Sequence, residues 1–165
     1  MALSLDTKKN IVSKINKISN VALSAITANS QGISVNKMNQ LRKSGRKVGV
    51  YMSIVRNTLL TLAIQNTAFE CLKKKIKGST FIAYSMNHPG SGARLFKKFS
   101  MKNDQFKITG AAFEGKLLSM LEINQLAEMP THKEAITKLL ITLKMSAAGK
   151  FVYILSAIKK KKEIS

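Results

Sequence analysis

The chain has 165 residues, with 28 lysines and arginines against 8 aspartates and glutamates, for a formal net charge of +20. This length suits one domain and an appendage and excludes a pair of full enzyme domains. Positive charge on this scale opposes compaction unless a polyanion offsets it, which favours nucleic acid as the partner and an anionic membrane surface second.

In chain order, Ile11, Val12, Ile15 and Ile18 recur at helical spacing, with Lys8, Lys9, Lys14 and Lys17 off that face. VALSAITA (21–28) reads as a short strand. Ser34 stands where a helix N-cap would, with Val35, Met38 and Leu41 behind it and Gly45 as the stop. VGVYM (48–52) reads as a second, buried strand. Residues 56–65 read as a helix turning Leu59, Leu60, Ala63 and Ile64 inward. TFIAYS (80–85) and FKITGAAF (106–113) read as strands, flanking a helix that follows Pro89 and reaches Phe99. Thr67 with Glu70, Ser119 with Glu122 and Thr131 with Glu134 have capping-box spacing, in which hydroxyl and carboxylate each satisfy a free backbone amide. Three such pairs among eight acids assign the acids to helix starts rather than to catalysis. The result is an α/β layered domain of about four strands and five or six helices over residues 1–129.

Pro130 punctuates the chain, and residues 131–165 differ in kind. They carry only helical spacing, broken at Ala147-Ala148-Gly149. Ile136, Leu139, Leu140 and Leu143 follow an i, i+3, i+4, i+7 pattern, and fifteen residues later Phe151, Ile154, Leu155 and Ile158 repeat it. A helix of this length exceeds the span of the preceding domain at about 1.5 Å per residue. It is expected to protrude and to need a foreign partner for its apolar patches. The duplication favours repeated protein binding, one partner per patch, over a membrane-surface helix or an ordinary core element.

Among candidate sites, the segment Leu41-Arg42-Lys43-Ser44-Gly45-Arg46-Lys47 with Arg56-Asn57 stands out, because it holds three of the four arginines. The planar guanidinium grips phosphate bidentately, whereas lysine acts as a point charge. Arg42, Lys43, Arg46, Lys47, Arg56 and Asn57 are therefore candidates for RNA contact, and Lys8 and Lys9 extend the basic surface. The same segment is poor in aromatics, which favours reading the backbone and shape of a folded RNA over stacking on bases. Pro89-Gly90-Ser91-Gly92 lacks the ending of a phosphate-binding loop and reads as a turn and helix start. His88 and His132 have no evident catalytic partner, and Cys71 reads as a core or half-buried residue. One cysteine and two histidines exclude a disulfide framework and give no metal site. No signal-peptide run or membrane-spanning stretch is present, so an intracellular protein without catalysis or cofactor is expected.

Beyond these patterns, GISVNKMNQLRKSGRKVGVYMSIVRNTLL (32–60), FECLK (69–73), IAYSMNHPG (82–90), ARLFKKF (93–99) and AAFEGKL (111–117) resemble the bacterial large-subunit ribosomal protein ten family, the stalk-base proteins. The resemblance implies a globular N-terminal part that binds large-subunit ribosomal RNA beside the neighbouring ribosomal protein eleven. It implies a C-terminal helix, here 134–144 and 150–160, that carries dimers of the acidic stalk protein, two by the two-patch count. Those dimers recruit translational GTPases; the protein itself is a cytoplasmic ribosomal component and not an enzyme. Asn29 departs from the acidic residue usual three places before the glycine of this pattern. The alternative from the residues alone is a general nucleic-acid-binding protein with a self-associating or membrane-surface tail.

Overall fold

The computed structural model describes residues 4–164, with the backbone only at 147, 148, 150, 161, 163 and 164. The outermost residues included in the two expected units, 1–3 and 165, lie outside the described residues. The chain divides into two compact units, one ending at Met129 and one beginning at Pro130.

In the first unit, helix α1 (Leu5–Val21) leads into strand β1 (Ser24–Asn29), α2 (Val35–Lys47), β2 (Val50–Ile54) and α3 (Asn57–Ile64). A 3-10 turn (Glu70–Lys75), β3 (Thr80–Ser85), α4 (Gly90–Ser100), β4 (Lys107–Phe113), β5 (Lys116–Leu118) and α5 (Met120–Glu128) follow. The five strands form one sheet in the order β2-β3-β1-β4-β5, with every neighbouring pair antiparallel. Central β1 and β3 are buried almost throughout, because helices cover both faces of the sheet. One face carries Ile26, Phe81, Ala83 and Ala111 under Met38 and Leu41 of α2, Phe96 of α4, and Ile123 and Leu126 of α5. The opposite face carries Ala25, Ile82, Tyr84 and Ala112 under Ile15 of α1, Leu60, Ala63 and Ile64 of α3, and Leu72 of the 3-10 turn. The layered α/β domain is as expected, and so are the four inward residues of α3.

Several local expectations are corrected. Val21 ends α1 rather than opening a strand. Gly45 does not stop α2, which runs on to Lys47. A Cβ at Gly45 would come within 2.7 Å of Met52 Cε, so the missing side chain lets the helix lie close on β2, and the chain turns at Gly49 (φ 73°) instead. β2 starts at Val50 and is the half-exposed edge of the sheet, not a buried strand. The Thr67–Glu70 box does not form. Thr67 Oγ1 donates to Ile64 O at 2.7 Å, and the segment winds as a 3-10 turn whose N-cap is Phe69. Among the described residues the strand count is five, because Glu114 (φ 51°) and Gly115 (φ 76°) make a two-residue turn that folds β5 back on β4.

The other two boxes are formed. Ser119 N–H donates to Glu122 Oε2 at 2.6 Å and Thr131 N–H to Glu134 Oε2 at 3.0 Å, each with the reciprocal amide-to-hydroxyl bond. The bond from the Ser119 backbone holds the Glu122 carboxyl below its usual range. In the second unit, α6 (His132–Lys144) passes through a π-helical turn (Met145–Gly149) into α7 (Lys150–Ile164). The expected break is thus a wider helical turn, not an interruption. Alanine has the highest intrinsic helix propensity, which opposes a break at this point.

Candidate nucleic-acid and partner interfaces

The arginines that lie close in sequence are divided by the fold. Arg42, Lys43 and Arg46 lie together on the outer side of α2 with Asn36, Asn39 and Gln40. The last turn of that helix holds Arg46 and Lys47, both exposed, where cations also suit the negative end of the helix dipole. Arg56 lies on the other side of β2, at the N-cap of α3. There it lines a groove with Lys14, Tyr51, Ser53 and Leu59, formed by α1, β2 and α3. Asn57 Nδ2 donates to Gly78 O at 2.9 Å, tying the start of α3 to the approach to β3. Lys8 is half-buried and Lys9 exposed, both in the first half of α1. The eight residues expected from sequence to meet RNA are therefore divided between two layers, Arg42, Lys43, Arg46 and Lys47 on α2 and Lys8, Lys9, Arg56 and Asn57 on α1 and at the start of α3.

Sequence reasoning gives no role to the fourth arginine. Arg94 of α4 donates from Nε to Ala127 O at 3.3 Å and from Nη2 to Met129 O at 2.9 Å. Its fork holds backbone carbonyls at the end of α5, beside a Lys97–Glu128 ion pair of 2.9 Å. Hydrogen bonding to Lys97 holds the Glu128 carboxyl below its usual range. The glycine-rich start of α4 is closed by the chain itself. Ser85 Oγ accepts from Gly92 N–H at 3.1 Å, His88 Nδ1 accepts from Gly90 N–H at 3.1 Å, and Ser24 Oγ donates to Pro89 O at 2.7 Å. Cys71 is half-buried against the core, and burial pushes its thiol pKa up, so it is poorly suited to act as a thiolate. Among the described residues no group of three or more histidines, cysteines or acids could hold a metal ion, and no helix is long and apolar enough to cross a membrane.

In the second unit, Ile136, Leu139, Leu140, Leu143, Phe151, Ile154, Leu155 and Ile158 are all exposed, from 45% at Ile136 to 75% at Phe151. No residue of α6 is buried. On an uninterrupted α-helix, fifteen residues would set the two patches about 60° apart. The π turn takes more residues per revolution and so rotates the second patch back toward the first.

A family model described as "Ribosomal protein L10" matches residues 4–101. The chain is 78% identical over 165 residues to the large ribosomal subunit protein uL10 of Buchnera aphidicola subsp. Schizaphis graminum, covering all of both chains. It is 52% identical over 163 residues to the protein of the same name from Cronobacter sakazakii, covering 99% of each. Against that of Escherichia coli O1:K1 / APEC, identity is 50% over 163 residues, again 99% of each.

Proposed function

The chain belongs to the ribosomal protein L10 family, and from that premise we propose that it forms the base of the ribosomal stalk. Membership makes it a structural component of the large ribosomal subunit, in the cytoplasm, and not an enzyme. In the proposed arrangement the first unit grips large-subunit ribosomal RNA through its basic helices, beside ribosomal protein eleven. The second unit holds dimers of the acidic stalk protein, through which translational GTPases are recruited. The exposure of all eight patch side chains carries this reading, since apolar surface repeated along a helix needs a covering partner. The net charge of +20 complements both an RNA and an acidic protein.

The RNA half is tested by binding of the full chain to a stalk-base fragment of large-subunit ribosomal RNA across a salt series. Affinity is expected to fall steeply with salt. Arg42→Gln with Arg46→Gln should weaken binding and reduce the log–log slope by about 0.7–0.9 for each phosphate no longer neutralised. Binding that prefers any RNA duplex over the folded fragment would instead support a general nucleic-acid-binding protein.

A further inference from the structure

A second groove lies between α2 and α4. Its floor is made by Leu41, Leu95 and the half-buried ring of Phe99, and its rim carries Lys37, Lys98 and Lys102. It encloses about 360 Å³, and no carboxylate is among the described residues lining it. The wall carrying Phe99 is held in place from behind. Asn103 Nδ2 donates to Phe99 O at 3.2 Å, Ser100 Oγ donates to Phe106 O at 3.0 Å, and the Phe99 ring meets Phe106 edge-on at 5.0 Å. A wall fixed in this way need not be ordered on binding. Gln40 lines both this groove and the outer α2 surface with Arg42, Lys43 and Arg46, so the two adjoin at that residue.

An apolar floor with an aromatic ring, rimmed by ammonium groups and open to a basic helix face, matches a nucleotide and not a paired helix. In duplex RNA the base faces are stacked inside, whereas an unpaired nucleotide can turn its base onto an aromatic plane while its phosphates remain near cations. We propose that the α2–α4 groove receives one unpaired nucleotide of the RNA, its base on Phe99 and Leu95 and its flanking phosphates near Lys37, Lys98 and Lys102. The proposal rests on the RNA-binding reading above. It goes beyond the reading of the arginine segment as favouring RNA backbone and shape, because the aromatic plane comes from α4, a helix distant in sequence from the arginines.

The test uses the full chain and the stalk-base RNA fragment carrying 4-thiouridine at its unpaired uridines, with a fully paired duplex as control. Photocross-links are expected in residues 95–103. Phe99→Leu, which keeps an apolar floor but removes the ring, should weaken binding to the fragment about tenfold and leave the duplex unchanged. Lys98→Gln with Lys102→Gln, a surface change that spares the core, should lower the log–log salt slope by roughly 1.5. Cross-links confined to other surfaces, with the lysine variant matching the parent in affinity and slope, would overturn the groove assignment while leaving RNA binding in place. Failure of the parent chain to bind the fragment would overturn the RNA-binding reading and the groove assignment with it.

Discussion

At the scale of single residues, unusual environments yield direct predictions. Tyr84 is buried beneath α1, and burial pushes its phenol pKa up to about 12. Its hydroxyl faces that of Ser19, but the geometry falls short of a hydrogen bond, and both oxygens are buried without a partner among the described residues. The neutral phenol is favoured in the folded state, so this contribution to stability is complete below the unfolded tyrosine pKa near 10 and is lost as pH rises toward 12. Denaturant unfolding at pH 9 and pH 11.5 should show that loss. Tyr84→Phe should abolish this component and raise stability at pH 7 by up to about 1 kcal/mol, because it removes a buried hydroxyl that has no hydrogen-bond partner among the described residues. Glu114 is a non-glycine residue with positive φ in the β4–β5 turn. Glu114→Asn should stabilise the chain by about 0.5 kcal/mol, read as a shift in denaturation midpoint, since asparagine tolerates this backbone better. That turn is hard to read from sequence because its first position lacks the usual asparagine or aspartate. Arg94 is equally opaque, since its carbonyl partners lie more than thirty residues away at the end of α5 and its neighbourhood is set only by packing.

At the scale of elements, boundaries fixed by local chemistry are legible and those fixed by packing are not. Ser119–Glu122 and Thr131–Glu134 form because each box needs only its own first turn. Thr131→Ala should destabilise the start of α6 by about 1 kcal/mol, seen as faster amide hydrogen exchange in residues 132–135 with little change in α4. Gly45 misleads because the motif of a terminal glycine is local, whereas its role depends on Met52 of β2 lying against it. The alternation of helices and strands conveys the layered architecture, but it cannot convey the pairing, which is antiparallel throughout and places β2 at an edge. The repeat in the last helices is readable because its spacing is regular; the π turn is not, since Ala-Ala-Gly is compatible with several kinds of helical or broken backbone.

At the scale of the whole molecule, the chain combines a globular unit with basic residues on two layers and a helical unit with two exposed apolar patches. The proposed stalk-base function assigns this division of chemistry: charge for ribosomal RNA and apolar surface for protein. Of the candidate sites, the apolar patches are the more legible, because helical periodicity alone puts their residues together. The basic residues are not, because the fold separates Arg46 from Arg56 across β2 and brings Lys98 and Lys102 toward α2. In the proposed arrangement each apolar patch holds one dimer of the acidic stalk protein. Native mass spectrometry of the full chain with that partner tests it most directly, comparing the parent with Ile154→Glu combined with Leu155→Glu. Two dimers are expected on the parent and one on the variant; two dimers retained on the variant would contradict that arrangement.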